Sequence, residues 1–577
     1  MLALIVIAAA WIVVRGILAK GHLNSARGDV ATIKQALLSG DSGKANLRLA
    51  VLQHDTGRAQ ALTGDPVWAA ATHLPWVGSA LRSARGVAVS VNTLAHQSLP
   101  DVLKAGAGLS PKSLQRSSDT VDLSRFTSAV VPLGVVADEL TATRREVSAL
   151  PARTAVAQVD HARTELLRQL GGLVGTVRTA ILAARVAPGL LGADGPRRYF
   201  MAIQTPAEAR GTGGISGAFG ILVADHGRMH ITRLGSDAEL HTSPIPLVKH
   251  SAEYDHLYKI YKASQTYQNA NVSPHFPYAG ENYKALWERQ TGQHIDGVIA
   301  IDPELMSRLL AVTGPVRLKT GERVTSRNAV ALVEKDAYTR FDDVAVRKTF
   351  FQSVGGAVVD AVLSRGTRYP TALLHVLGRS AGDGRLRLWS ARPQEEQQLA
   401  TTPLAGVLPR TTAPFAAVVI NNAAESKLDY YLERSVRYAG GPCGAGPVRT
   451  TTVTVVLGNT APPTGLPDYV VIRGDHPSVA RPRGAERVLV SLYGTQGAGL
   501  FGVQLDGKPA TAGVGVERGH PVFTADVDID PGASRTLTYR LSEPTSPGRP
   551  TSPVQPLTLS QKTVVTLPEC HLTTSRP

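Results

Sequence analysis

Two stretches of this 577-residue chain carry residue types suited to gripping a phosphate. The first runs Glu208-Ala-Arg210-Gly-Thr-Gly213-Gly214. Glycines there would let backbone N–H groups approach an anion closely, and the Arg210 guanidinium adds donors in a fork that matches phosphate. The second runs Tyr338-Thr-Arg340-Phe-Asp342-Asp343-Val-Ala-Val-Arg347-Lys348, where cations flank two carboxylates. Hard carboxylate oxygens suit Mg²⁺ bridging a diphosphate, so Asp342 and Asp343 are the candidate metal ligands. Arg210, Gly213, Gly214, Arg340, Arg347 and Lys348 are the candidate phosphate ligands, with Glu208, Asn271 and Phe276 as candidate lining residues. Each feature also has a plain structural reading. Arg210 could pair with Glu208 in a glycine-rich strand connection, the second stretch could be a salt-bridged helix start, and a proline-rich loop would explain Asn271 and Phe276.

Other chemistries find little support. The histidines show no zinc-protease spacing, and neither a Walker-type loop nor a nucleophile elbow occurs. A formal charge of +15 predicts an anionic partner, but aromatics make up only 5% and the basic residues are spread widely, so nucleic acid is not expected. Two cysteines, Cys443 and Cys570, exclude both a disulfide-dense scaffold and a four-cysteine zinc site.

The elements that must position these residues fall into four segments. Residues 1–19 are apolar apart from Arg15 and are expected to anchor the chain in a bilayer, although about 20 apolar residues are needed to span one. Residues 23–187 show apolar stripes at helical spacing, such as Leu166, Leu170, Leu173 and Val177. These predict an all-α stalk, with prolines dividing it into roughly four to six helices and Pro132 kinking one of them. The stalk is also the expected place for self-association. From 195 to 385 strands alternate with helices, which predicts an α/β domain. Expected elements there include a Tyr199–Gln204 strand followed by a Gly-rich loop, a hairpin around His226-Gly227, a helix over 279–290 and a strand over 295–301. Regular β-runs and turns over 386–577 predict a β-sandwich, which a Cys443–Cys570 disulfide would close; two free thiols are the alternative. Residues 542–556 read as a low-complexity loop or linker.

The central segment resembles the bacterial domain-of-unknown-function family 4012. That family's signature is a Glu-x-Arg-x-x-Gly-Gly loop, here Glu208, Arg210, Gly213 and Gly214. A Ser-Pro-x-Phe-Pro segment (Ser273, Pro274, Phe276, Pro277) and an Asp-Gly-Val strand (Asp296, Gly297, Val298) follow. The family usually carries tryptophan where Val272 stands and an acid where His275 stands. The order of elements also resembles the LytR–CpsA–Psr fold, whose members are membrane-anchored extracytoplasmic phosphotransferases. They move glycopolymers from a polyprenyl diphosphate carrier to peptidoglycan. Arg340, Asp342, Asp343 and Arg347 fall in register with that family's late segment, with Tyr338 in place of its first arginine. Asp237 is similar to the aspartate of its Pro-Arg-Asp turn, whereas the glycine-rich loop lacks the family's early acid.

Together these features predict a single-pass membrane protein with most of its chain outside the cell. It is expected to bind a lipid-linked or anionic glycan of the polyprenyl diphosphate type during cell-wall or surface-polysaccharide assembly. The alternative is an active Mg²⁺-dependent phosphotransferase attaching glycopolymers to the cell wall.

Overall fold

The computed structural model describes residues 2–39, 41–110, 113–117, 120–443, 446–475 and 480–570. The chain divides into two compact units. One comprises Met1–Pro196 with the short turn Ala224–Arg228; the other comprises Arg197–Val223 and Met229–Pro577.

The first unit is helical, with long helices at Leu2–Ser39, Ser42–Thr63, Gly78–Thr93, Leu123–Ala149 and Ala157–Leu190. Aspartates start two of them, since a carboxylate satisfies backbone N–H groups left open by the first turn. Asp41 accepts from Lys44 N at 2.9 Å, and Asp122 accepts from Ser124 N at 3.1 Å. The predicted stripes meet: Leu133, Ala137 and Leu140 pack against Leu166, Leu170 and Val177 in one core. Helix Leu123–Ala149 runs through Pro132 without interruption, and Pro132 stays on its exposed side. By length and composition two stretches could cross a membrane, Val6–Ile33 and Ala157–Leu190. The second earns its hydropathy by burying a face in the helical core, whereas Val6, Ile7, Val13 and Val14 of the first are exposed.

The second unit is built on a sheet whose neighbouring strands are Arg228–Ser236, Gly213–Asp225, Arg197–Arg210, Gly297–Ile301 and Leu386–Ser390. Strand Arg197–Arg210 pairs in parallel with Gly297–Ile301, which pairs antiparallel with Leu386–Ser390. Because successive side chains point to opposite faces, both faces of the long strand are buried. Phe200 and Ala202 face Tyr283, Leu286 and Trp287 of helix Phe276–Thr291. Met201 and Ile203 face Leu305 and Leu309 of helix Pro303–Thr313, and Val354 and Val358 of helix Val344–Arg365. Helices therefore cover the sheet on both sides. Strand Leu386–Ser390 belongs to this sheet, so the α/β region continues past the expected boundary at 385.

Beyond it lie two strand-rich sheets. One orders Ala416–Asn422, Glu486–Gly494, His520–Ile529 and Gly513–Glu517. The other orders Lys508–Ala510, Gly499–Leu505, Ser534–Pro544, Val448–Asn459, Leu432–Gly440 and Gln561–Thr566. Val418, Val490 and Val527 of the first share a core with Val436, Val455 and Tyr539 of the second. Cys443 and Cys570 are disulfide-bonded with their Cα atoms 5.7 Å apart.

The low-complexity segment is not a free linker. Gln555 donates from Nε2 to Arg210 O at 2.7 Å and Ile420 O at 2.8 Å, and its Oε1 accepts from Ile420 N at 2.8 Å. Leu557 is buried in the shared core. This strap ties the end of the long central strand to the sheets that follow.

Candidate functional site

The site forms where strand Arg197–Arg210 runs past its own sheet into the C-terminal layers. Ala209 is buried in the C-terminal core, and its N–H donates to Asp429 Oδ2 at 2.7 Å. Because side chains alternate along a strand, Glu208 and Arg210 point away from that core. They line a cavity of about 330 Å³ together with Thr205, Asp237, Tyr338, Arg347, Lys348, Phe351, Glu425, Lys427 and Tyr469.

The charges in the cavity are mostly matched. Glu208 sits between Lys427, in close contact, and Arg210 at 3.3 Å. Burial pushes the Glu208 carboxyl up, but those two cations outweigh it and hold the group below its ordinary range. Burial likewise works against the charged Lys427 ammonium, and Glu208 reverses the balance. Arg210 is spent on the protein: Nε donates to Gln268 O at 3.0 Å and Nη1 to Ala209 O at 2.9 Å. Lys348 pairs with Asp237 at 3.0 Å.

Arg347 is the exception. It is 2% exposed, and Nη1 donates to Phe341 O at 2.8 Å. Its guanidinium lies 4.0 Å from the centre of the Tyr469 ring and 5.1 Å from that of Tyr338. Nη2 has no hydrogen-bond partner among the described residues. A buried guanidinium N–H without an acceptor is costly, and a phosphate or carboxylate oxygen would satisfy it.

The structure thus brings Glu208, Arg210, Arg347 and Lys348 together, with Asp237 beside them. The other expected residues lie elsewhere. Gly213 and Gly214 do not form an anion-binding loop: strand Arg197–Arg210 continues through them into strand Gly213–Asp225 after a two-residue turn. A Cβ at Gly214 would come within 2.2 Å of Thr205 backbone atoms, so close strand packing is what requires glycine there. Asn271 does not line the cavity but supports that turn, donating from Nδ2 to Thr212 Oγ1 at 2.8 Å and Gly214 O at 2.9 Å. Phe276 is a core residue, buried in the same cluster as Phe200 and Tyr283.

Arg340 turns outward and forms a forked pair with Glu322 at 2.6 and 3.0 Å. Asp343 caps helix Val344–Arg365, accepting from Ala345 N at 2.7 Å and Val346 N at 2.9 Å. Neither Asp342 nor Asp343 lines the cavity; of the three acids that do, Glu208 and Asp237 are held by cations, which leaves Glu425 alone as a carboxylate donor. Among the described residues no group of three or more histidine, cysteine, aspartate or glutamate side chains could hold a metal ion. This donor set does not fit Mg²⁺.

Of the cavity residues that the sequence did not flag, Glu425, Lys427 and Tyr469 come from the C-terminal region, and Thr205 and Phe351 from the central one. A second groove, of about 570 Å³, opens beside the cavity and shares Arg210, Asn269 and Glu425 with it. Its wall is mixed, with Tyr261, Asn421, Arg487 and Asp526 beside Leu257, Ile260, Leu489 and Val514. Asn421 donates from Nδ2 to Val272 O at 3.2 Å, while its Oδ1 has no partner among the described residues.

Residues 194–338 match the family described as "Protein of unknown function (DUF4012)". This stretch supplies Glu208, Arg210, Asp237 and Tyr338 of the cavity, whereas Arg347, Lys348, Lys427 and Tyr469 lie beyond the match. No curated protein and no solved structure matches the chain.

Proposed function

We propose that this chain is a membrane-anchored, extracytoplasmic protein of the cell envelope that binds a phosphorylated, lipid-linked glycan. The cavity takes the phosphate end. The observation that carries this reading is the unpartnered Nη2 of Arg347, a cavity-lining residue held against the Tyr338 and Tyr469 rings. Lys348 and Lys427 stand in the same wall, so an incoming phosphate meets cations whose present partners are single carboxylates. The adjoining groove, which shares Arg210 with the cavity and mixes polar and apolar wall residues, is where the sugar end of such a ligand would lie. The charge-matched acids favour binding over Mg²⁺-dependent transfer. Wall polymer assembly is the setting that the LytR–CpsA–Psr resemblance suggests, and the apolar stretch beginning at Val6 supports the anchor.

Isothermal titration of the full chain in detergent tests the reading, with farnesyl diphosphate, inorganic pyrophosphate and an unphosphorylated oligosaccharide as probes. Binding of both diphosphates, weakening as salt is raised, is the expected result. Equal affinity for the unphosphorylated sugar, or no binding of either diphosphate, overturns it.

A further inference from the structure

We infer that the end of the helical unit is itself seated in the bilayer, with the turn His73–Val77 inserted beside the N-terminal helix. This rests on reading that helix as a membrane anchor.

The register of the helices carries the argument. Arg15 donates from Nε to Leu62 O and from Nη2 to Ala61 O, each at 2.9 Å, and pairs with Asp65. Further along, His22 meets Asp55 at 2.9 Å, so helix Ser42–Thr63 runs antiparallel to the first. Asn92 bonds Gln60 at 2.6 Å and Thr56 at 3.1 Å, and Gln53 reaches Ala95 O at 3.0 Å. Helix Gly78–Thr93 is therefore antiparallel to the second helix and parallel to the first.

Ala19, Ala59 and Ala88 meet in one cluster and set a common level. From Ala88 back to Gly78 the helix drops about 15 Å at 1.5 Å per residue. The same drop from Ala19 along the first helix reaches Ala9, well past Arg15. The turn before Gly78 thus comes level with the apolar stretch around Trp11.

That turn presents apolar side chains to its surroundings. Trp76 is 88% exposed, and Leu74 and Val77 are exposed with it. On the first helix Val6, Ile7, Trp11, Val13 and Val14 are exposed at the same end. A tryptophan at this depth suits the bilayer interface, where amphipathic rings gather. Arg82 and Arg85, exposed in the first turns of the helix that follows, are placed to meet lipid phosphates. The helical unit is then seated on the membrane by two insertions rather than hanging from one tether.

The test uses the full chain in vesicles of phosphatidylcholine and phosphatidylglycerol, with and without brominated phosphatidylcholine, which quenches nearby tryptophans. Wild type, W76F and W11F are compared. Trp11 and Trp76 are the exposed pair at this end, so each variant is expected to lose about half of the bromolipid-dependent quenching. Loss in W11F with none in W76F overturns the inserted turn and leaves the anchor standing. Loss in W76F alone overturns the anchor while keeping the turn in the bilayer. No loss in either overturns both.

Discussion

Replacing Arg347 by lysine keeps the charge at the cavity wall but removes the second arm of the guanidinium. In the wild-type protein Nη1 is committed to Phe341 O at 2.8 Å and Nη2 is unpartnered. A phosphate oxygen accepting from Nη2 gains a hydrogen bond to a charged group, worth about 1.5–3 kcal/mol. Taking about 2 kcal/mol, Arg347→Lys weakens diphosphate binding about 30-fold. The same change loosens the packing on Tyr469, so a thermal melt must accompany the titration to separate a lost ligand contact from a lost fold. Arg340→Ala is the matched control. Arg340 pairs with Glu322 on the surface and does not line the cavity, so its loss leaves affinity within about twofold, as expected for an exposed pair. Unchanged affinity in Arg347→Lys, or an Arg340→Ala defect of equal size, refutes the assignment.

Three further outcomes follow from the geometry. Cys443→Ser removes a cross-link spanning 127 residues, which destabilises the C-terminal layers by up to about 5 kcal/mol; urea unfolding with and without reductant reads this, and coincident curves refute it. Burial pushes the Glu334 carboxyl up to about 8, with the Thr558 hydroxyl donating to it. The folded chain then holds that proton more tightly than the unfolded chain, so this group makes stability fall as pH rises from its ordinary range towards 8. Glu334→Gln should raise the melting temperature at pH 8 and change little at pH 4, by an amount on the order of 3–5 kcal/mol at the alkaline end; equal effects at both pH values contradict it. Asn421→Ala should weaken a sugar phosphate about fivefold and leave pyrophosphate unchanged, since the change reshapes the groove wall and not the cavity; equal loss for both ligands would count against a separate groove.

The secondary structure was legible wherever apolar periodicity was strong. The expected helix at 279–290 is observed as Phe276–Thr291, and the hairpin around His226-Gly227 is present. The site was legible only in part. Glu208 to Arg210 looks like polar loop because its partners are invisible locally: Arg210 bonds Gln268, 58 residues on, and Ala209 bonds Asp429, 220 residues on. A strand that buries charged residues loses the alternation by which strands are recognised. The glycines that follow serve a close approach between strands, which sequence alone does not separate from an anion-binding turn. Lys427 and Tyr469 had no local signal, since the C-terminal layers bring them to the cavity. The segment through Gln555 looked like linker because its composition is poor in apolar residues, yet its role is carried by one amide bonding two strands.

The chain's overall excess of +15 does not by itself create this site. Of the cavity's cations, Arg210 and Lys427 share Glu208, and Lys348 faces Asp237. A diffuse positive field would attract any polyanion and would be screened over about 10 Å at ordinary salt. A cavity that pairs most of its cations and leaves one guanidinium N–H without an acceptor would work differently, because it would favour ligands that bring an oxygen to that point. The aromatic wall adds to this, since Tyr338 and Tyr469 stack on each other with centroids 5.9 Å apart and hold the guanidinium against them. On the proposed reading, selectivity at this site is a matter of geometry at Arg347 more than of net charge. Neutralising distant surface arginines should accordingly slow association and leave the discrimination between phosphorylated and unphosphorylated ligands intact.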